Sequence, residues 1–156
     1  MSRAKDIVER ASAAETVIAT AESCTGGMIS AAITDIAGSS RVLDRGFVTY
    51  SNAAKMNMLG VCAKTLDTYG AVSEHVAAEM AIGALKHSNA TLSVSVTGIA
   101  GPGGSDFKPE GRVCFGIATK DGVETQQIDF GPLGRAGVRE ASVAQALALL
   151  LQKLSA

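Results

Sequence analysis

The stretch Thr16-Val-Ile-Ala-Thr-Ala-Glu-Ser-Cys-Thr-Gly-Gly27 decides the fold of this chain. Its first part, residues 16–20, is a short apolar run with several β-branched side chains, which is typical of a buried strand. The run ends in a polar turn with two glycines, and an Ala- and Ile-rich helical segment follows to about Ile36. A strand that passes through a turn into a helix indicates an α/β domain.

Outward from this stretch, strands and helices alternate, and a predicted hairpin comes before the last helix. This order predicts one α/β domain over residues 1–156, with helices on both faces of a mixed sheet. The predicted elements are helix 3–14, strand 16–20, a helix to about residue 36, strand 47–50, a short helix that carries Lys55, a longer helix capped by Ser73, strands 91–97, 113–117 and 123–130, and a last helix that contains Val143 and Leu154.

Composition excludes several classes of protein. Apolar residues make up 47% of the 156 residues and the net charge is −1, which argues against a disordered chain and against a general nucleic-acid binder. No apolar run approaches the roughly 20 residues that span a bilayer, and the charged N-terminus does not resemble a secretory signal. Three widely separated cysteines form no CxxC pair, so we expect no metal site and a cytoplasmic location.

The turn after the first strand is the first candidate for chemistry. A hydroxyl at Ser23 would lie at a helix N-terminus, where free N–H groups and the helix dipole favour negative charge. The alternative is that Ser23 or Thr25 is only a helix cap. Cys24 is a rival nucleophile, but cysteine catalysis needs a nearby histidine, and both histidines fall on a later helix.

Three further segments carry candidate residues. Tyr50 ends a predicted strand and Lys55 follows five residues later, and a lysine acts as a base only if its pKa falls by several units. The loop from Gly98 to Gly111 is interrupted by prolines and precedes a strand, so it fits an anion-binding pocket better than a dinucleotide fingerprint. Arg135 and Arg139 share one face of the last helix, and anion binding and a surface ion pair both remain open.

Four motifs in the same order resemble the CinA C-terminal domain family. They are Ala21-Glu-Ser-Cys-Thr-Gly-Gly27, Gly46-Phe-Val-Thr-Tyr-Ser-Asn-Ala-Ala-Lys55, Tyr69-Gly-Ala-Val-Ser73 and Val96-Thr-Gly-Ile-Ala-Gly-Pro-Gly-Gly104. The resemblance runs from about residue 5 to residue 153. It implies a three-layer α/β/α sandwich and hydrolysis of the carboxamide of nicotinamide mononucleotide to nicotinate mononucleotide and ammonia.

The resemblance also implies roles for individual residues. The family's catalytic serine, tyrosine and lysine fall on Ser23, Tyr50 and Lys55, with neutral Lys55 as the base that acts directly or through Tyr50. Backbone amides around Cys24 to Gly27 would hold the oxyanion, and no metal or cofactor is expected. The residues predicted to bind substrate are Thr25, Gly26, Gly27, Thr97, Gly98, Gly101 and Arg139.

Two alternatives to this function remain open. One is a non-catalytic nucleotide-binding or regulatory protein, and the other is a serine amidohydrolase of another small amide. The chain resembles the stand-alone form of the family, and Glu110 replaces a small apolar residue of the family pattern. We expect a homodimer that binds a small nucleotide and neither nucleic acid nor a membrane.

Overall fold

The computed structural model describes residues 2–105 and 107–155, in which five strands form one sheet. The strands are β1 (Ile18–Glu22), β2 (Leu43–Val48), β3 (Leu92–Gly98), β4 (Arg112–Thr119) and β5 (Gly122–Asp129). The helices are α1 (Arg3–Ala13), α2 (Met28–Thr34), α3 (Asn52–Leu59), α4 (Ala63–Tyr69), α5 (Glu74–Lys86) and α6 (Gly134–Leu154), with a 3-10 turn at Ser39–Arg41. Within this part of the chain, no helix is long and apolar enough to cross a membrane.

The sheet is mixed, with strand order β2-β1-β3-β4-β5. β1 pairs in parallel with both β2 and β3, whereas β3, β4 and β5 pair antiparallel. The carboxyl ends of β1, β2 and β3 therefore lie at one edge of the sheet, together with the start of β4. Ligand sites in α/β proteins commonly lie at this edge, and most of the candidate residues named above lie there.

Helices cover both faces of the sheet, which confirms the predicted three-layer α/β/α sandwich. On one face, α1, α2 and α6 pack over a core that includes Ile7, Ile29, Phe115 and Leu150. On the other face, α3, α4 and α5 pack over a smaller core that includes Met80. Each face of the sheet is thus buried under its own group of helices, with one apolar cluster between sheet and helices on each side.

Strand β3 carries serines that do not face solvent. Its alternation of serine and apolar residues is typical of a half-exposed strand, yet Ser93 and Ser95 are completely buried. Their hydroxyls donate hydrogen bonds to the carbonyls of Ala81 and Ala77 on α5, over 2.7 and 2.6 Å. These bonds satisfy the buried hydroxyls, and the small serine side chains let α5 approach the sheet closely.

The predicted boundaries of two strands were wrong. β2 begins at Leu43 and ends at Val48, not at residues 47–50, because an edge strand tolerates exposed charged residues such as Asp44 and Arg45. Tyr50 therefore lies two residues beyond the strand. β1 begins and ends two residues later than predicted, so Glu22 is its last residue. Helix α4 was not predicted.

Candidate active site

Ser23 lies in the tight turn between β1 and α2. Its backbone N–H donates to the carbonyl of Val96 on the neighbouring strand, over 3.0 Å, which continues the sheet pairing by one residue. The residue is 7% exposed. The hydroxyl is thus held at the carboxyl edge of the sheet in a largely buried position.

Lys55 approaches Ser23 from the neighbouring helix. Ser51 caps α3 by accepting from the N–H of Ala54, so Lys55 lies in the first turns of this helix. Its side chain is buried, with 1% of its surface exposed, and Nζ lies 3.0 Å from Ser23 Oγ. Nζ also donates to the carbonyl oxygens of Thr49 and Tyr50, over 2.9 and 3.2 Å.

The surroundings of Lys55 act on its charge in opposite directions. The two carbonyl acceptors favour the ammonium form, whereas burial favours the neutral amine. Burial prevails and lowers the pKa of Lys55 from 10.5 to about 8. A neutral amine has two N–H groups and one lone pair. In this geometry the N–H groups can reach Thr49 and Tyr50 while the lone pair accepts the proton of Ser23.

Glu22 is a fully buried carboxylate immediately before Ser23. One of its oxygens accepts from the N–H groups of Gly27 and Ile29 and from the hydroxyl of Thr25, at 3.2, 2.9 and 2.6 Å. The other accepts from the N–H of Ser30 at 3.0 Å. Glu22 therefore satisfies the first N–H groups of α2 and fixes the turn that carries Ser23.

This arrangement restricts where an oxyanion can bind. The N–H of Gly26 donates to the carbonyl of Ser23, and the N–H of Gly27 donates to Glu22. The N–H groups of Cys24 and Thr25 have no acceptor among the described residues. The sequence predicted an oxyanion site over Cys24 to Gly27, and the geometry narrows the available donors to the first two residues of that range. Gly26 and Gly27 have positive φ angles, 59° and 106°, which the turn requires.

The side chains of Cys24 and Thr25 face the protein interior. Thr25 donates its hydroxyl to Glu22 and is fully buried, so its side chain is not available to a substrate. Burial raises the pKa of the Cys24 thiol to about 11, so it stays protonated at neutral pH. Cys24 is therefore a poor rival to Ser23 as a nucleophile.

The hydroxyl of Tyr50 points away from the pair of Ser23 and Lys55. The side chain is 61% exposed, and its hydroxyl accepts from Arg135 Nη2 over 2.7 Å. Arg135 Nη1 donates to the carbonyl of Gly101, also over 2.7 Å. Tyr50 contacts Lys55 through its backbone carbonyl, and its ring is tied by Arg135 to the glycine-rich loop.

Arg139 lies four residues after Arg135 on α6 and binds backbone carbonyls of the turn that contains Ser23. Its Nε donates to the carbonyl of Cys24 over 3.0 Å, and its Nη2 reaches the carbonyl of Thr25 at 3.5 Å. These contacts occupy the face of the guanidinium that points toward the turn. Arg139 does not line the cavities at this edge of the sheet.

Two adjoining cavities lie at this edge of the sheet. The first, of about 190 Å³, contains Ser23 and Lys55, and the second, of about 340 Å³, lies under the glycine-rich loop 98–105. Thr97 lines the first cavity and its hydroxyl donates to the carbonyl of Ala71 over 2.9 Å. The walls common to both cavities are Tyr50, Ala71, Val72, Gly98, Ala100 and Arg135.

Glu110 binds backbone amides of the loop. Its Oε1 accepts from the N–H of Gly103 over 2.7 Å, and its Oε2 accepts from the N–H of Gly134 over 3.3 Å. The carboxylate therefore joins the glycine-rich loop to the start of α6. This is a structural role for the residue that departs from the family pattern in the sequence.

Neither histidine lines the cavity of Ser23. The ring of His75 stacks on Tyr69 with 3.6 Å between the ring centroids, and His87 Nδ1 contacts the carbonyl of Gly83 at the end of α5. Over residues 2–105 and 107–155, no group of three His, Cys, Asp or Glu side chains is placed to hold a metal ion.

Sequence reasoning missed three residues of this region. Glu22 stands next to Ser23 in the quoted stretch, and a carboxylate just before a glycine-rich helix start was a usable signal. Asn52 is the first residue of α3 and lines the cavity of Ser23, a position that its local sequence does not indicate. Lys108 lines the second cavity and carried no local signal.

Known proteins resemble the chain over nearly its whole length. Nicotinamide-nucleotide amidohydrolase PncC of Enterobacter agglomerans is 59% identical over 134 residues, which is 85% of this chain and 79% of that protein. The protein of the same name from Escherichia coli (strain K12) is 53% identical over 137 residues, which is 87% of this chain and 83% of that protein.

Solved structures share both fold and sequence with the chain. The competence/damage inducible protein CihA from Agrobacterium tumefaciens superposes with a TM-score of 0.91 at 46% identity, covering 100% of this chain and 98% of that one. The competence damage-inducible protein A from Klebsiella pneumoniae gives a TM-score of 0.94 at 37% identity over 98% and 95% of the two chains. The model of the CinA C-terminal domain matches residues 1–154, and the chain therefore belongs to the CinA C-terminal domain family.

Proposed function

We propose that this protein is a nicotinamide-nucleotide amidohydrolase that converts nicotinamide mononucleotide into nicotinate mononucleotide and ammonia, with Ser23 as nucleophile and Lys55 as base. The observation that carries the proposal is the buried contact of 3.0 Å between Lys55 Nζ and Ser23 Oγ. The names of relatives at 52–59% identity support the choice of substrate. A serine beside a lysine of lowered pKa is suited to attack on an amide carbon.

In the first step, the neutral amine of Lys55 accepts the proton of Ser23 as Oγ attacks the carboxamide carbon. The carbonyls of Thr49 and Tyr50 hold Nζ in place, and they stabilise the ammonium that forms. The N–H of Cys24, a residue that lines the cavity, is the donor that we assign to the developing oxyanion, with the N–H of Thr25 buried beside it. Both N–H groups belong to the turn that Glu22 and Arg139 fix.

The ammonium of Lys55 then donates its proton to the departing nitrogen, the carbon–nitrogen bond breaks, and ammonia leaves. An ester between Ser23 and the nicotinate carbonyl remains. Water attacks this ester with Lys55 again as the base, which releases the acid and restores the serine. A single group with a pKa of about 8 is suited to both transfers, because general acid–base catalysis works best when that value lies near the working pH.

We assign Tyr50 a positioning part in this scheme. Its carbonyl holds Lys55 Nζ and its ring forms a wall of both cavities, while its hydroxyl is bound to Arg135. Thr97 and Asn52 line the cavity beside the reacting groups, where they can contact the pyridine ring and its carboxamide. A relay through the tyrosine hydroxyl is not needed, since Lys55 reaches Ser23 directly.

The deciding experiment is ammonia release from nicotinamide mononucleotide by the wild type and by Ser23→Ala, with Ser12→Ala on α1 as the matched control. We expect release by the wild type and the control only, with an ester adduct on Ser23 trapped by rapid quenching and mass spectrometry. Binding of the nucleotide without ammonia release would favour the regulatory alternative. Release from another amide only, still dependent on Ser23, would keep the mechanism and replace the substrate.

We infer from the sequence that the protein is cytoplasmic. We also propose that it works as a homodimer. Cys24, Cys62 and Cys114 are all free, as is usual for a protein in a reducing compartment. Sedimentation velocity at micromolar concentration tests the dimer, and a single monomeric species would refute it.

A further inference from the structure

The second cavity, under the glycine-rich loop, has a cationic lining that the chemistry at Ser23 does not use. It has a volume of about 340 Å³ and is bounded by the loop 98–105, by Lys108 and by Arg135. It adjoins the cavity of Ser23, with which it shares Tyr50 and Arg135 as walls. A ligand that reaches Ser23 with one end can therefore place its other end beside these two cations.

Both cations are held by neutral groups. Arg135 donates to the carbonyl of Gly101 and to the hydroxyl of Tyr50. Lys108 Nζ donates to the carbonyls of Tyr69 and Val72, over 2.7 and 2.6 Å. In the described ranges, neither side chain forms an ion pair with a carboxylate. Their positive charges are oriented by fixed dipoles and remain available to an anion.

Donor groups also remain available. A guanidinium carries five N–H donors and an ammonium three, so these bonds leave three on Arg135 and one on Lys108. The carboxylate packed against the loop, Glu110, does not line the cavity, and its oxygens accept from backbone N–H groups. A planar guanidinium with free donors next to an ammonium is a suitable site for a phosphate.

Arg139, which the sequence predicted as a substrate-binding residue, is less suited to this task. It lines neither cavity, and its guanidinium is directed at the carbonyls of Cys24 and Thr25. The two arginines of α6 thus have separate tasks. Arg139 supports the turn of the nucleophile, and Arg135 faces the cavities.

We propose that Arg135 and Lys108 form the subsite that binds the phosphate monoester of the mononucleotide. This inference rests on the proposed function, because it uses a substrate whose carboxamide and phosphate lie at opposite ends of a ribose. With the carboxamide at Ser23, the ribose passes Tyr50 and the phosphate enters the cavity under the loop. The same contact ties substrate binding to Tyr50, since Arg135 bonds its hydroxyl.

The test compares nicotinamide mononucleotide with nicotinamide riboside, which lacks the phosphate. Turnover of both is measured for the wild type, Arg135→Gln and Lys108→Gln. Arg41→Gln and Lys120→Gln are the matched controls, because each removes one exposed charge at the opposite end of the sheet. Binding of ribose 5-phosphate to the same variants is measured by calorimetry and does not depend on catalysis.

We expect each subsite variant to lower kcat/KM for the mononucleotide roughly 10- to 100-fold, mainly through KM, as for a lost charge-assisted hydrogen bond. Turnover of the riboside should fall much less than turnover of the mononucleotide in both subsite variants. The two control variants should change turnover of either substrate by less than about threefold, within the small effects typical of surface substitutions. Ribose 5-phosphate should bind the wild type and lose affinity in parallel with the mononucleotide.

Equal losses on the mononucleotide and the riboside would overturn the subsite and leave the amidohydrolase in place. Unchanged binding of ribose 5-phosphate in both variants would do the same. If the wild type releases no ammonia, the Ser23→Ala protein still tests the subsite by direct binding of the mononucleotide. Affinity lost in Arg135→Gln on that background would support the subsite although the proposed function had failed.

Discussion

Lys55 Nζ lies 3.0 Å from Ser23 Oγ, although 32 residues separate the two along the chain. The contact exists because β1 and β2 are parallel neighbours, so the turn after β1 and the helix after β2 meet at the same edge of the sheet. The backbone carbonyls of Thr49 and Tyr50 then fix the amine. This relation makes a serine nucleophile possible without a histidine at the site.

Replacing the proposed base should abolish turnover. In Lys55→Met the nucleophile keeps its place but has no proton acceptor, so we expect kcat to fall by roughly 10²- to 10⁴-fold, the usual contribution of a general base. Ammonia release at saturating substrate measures this. Lys64→Met, at an exposed position on α4, is the matched control and should keep wild-type activity. A Lys55→Met enzyme within tenfold of wild type would remove the lysine from this role.

The rate should follow the neutral form of Lys55. Because burial holds its pKa at about 8, the amine is a minor species at pH 7 and the major one above pH 8.5. We therefore expect kcat/KM to rise about tenfold per pH unit below pH 8 and to level off above it. The measurement is a profile of kcat/KM from pH 6 to pH 10. A flat profile across this range would contradict an amine base.

The sequence predicted the layers of the fold because its central strands and its last helix are strongly apolar. The limits of β2 could not be predicted in the same way. That strand lies at the edge of the sheet and exposes Asp44 and Arg45, so its sequence resembles a loop. Helix α4 was missed because it is short and only Leu66 is buried.

For the site, motif resemblance indicated Ser23 and Lys55 as candidates, but it could not assign the contacts of their neighbours. Lys108 reaches carbonyls that lie 36 and 39 residues earlier in the chain, and such a contact leaves no local pattern. Arg135 and Arg139 look equivalent in sequence, four residues apart on one helix. Only the packing of α6 against the turn of Ser23 and the loop distinguishes them.

Removing the hydroxyl of Tyr50 should have a modest effect. That hydroxyl is bound to Arg135, whereas the contact of Tyr50 with Lys55 is made by the backbone. We expect Tyr50→Phe to retain kcat within about tenfold, with the larger change in KM, as for one lost hydrogen bond. Steady-state kinetics on nicotinamide mononucleotide test this. A loss of kcat as large as that of Lys55→Met would indicate a proton relay through the phenol.

Glu22 should be required for the geometry of the turn. In Glu22→Gln an amide NH₂ would face N–H donors of Gly27, Ile29 or Ser30, so buried donors lose their acceptor. We expect the free energy of unfolding to fall by about 2–4 kcal/mol and kcat to fall with it. Urea denaturation and turnover are the two measurements.

The matched control for that variant is Glu79→Gln. Glu79 also accepts a backbone N–H, from Cys62, but it does so at an exposed position. We expect that change to cost less than about 1 kcal/mol and to leave turnover unaffected. If both variants behave alike, the carboxylate of Glu22 has no special part in holding the turn of Ser23.

The buried lysine should also make the stability of the protein depend on pH. The pKa of Lys55 is about 8 in the fold and 10.5 in the unfolded chain, so between these values the unfolded chain binds a proton that the folded protein does not. The cost of the buried ammonium is therefore fully present below pH 8, and stability rises as the pH increases toward 10.5. The shift corresponds to roughly 3 kcal/mol.

Lys55→Met isolates this effect, because a methionine has no proton to lose and the other titrating groups are common to both proteins. We expect the wild type to gain about 3 kcal/mol relative to Lys55→Met between pH 7.5 and pH 10.5. Urea denaturation of both proteins at several pH values measures the difference. A constant difference over that range would mean that the amine keeps its ordinary pKa in the fold, and the proposed base would then be charged at neutral pH.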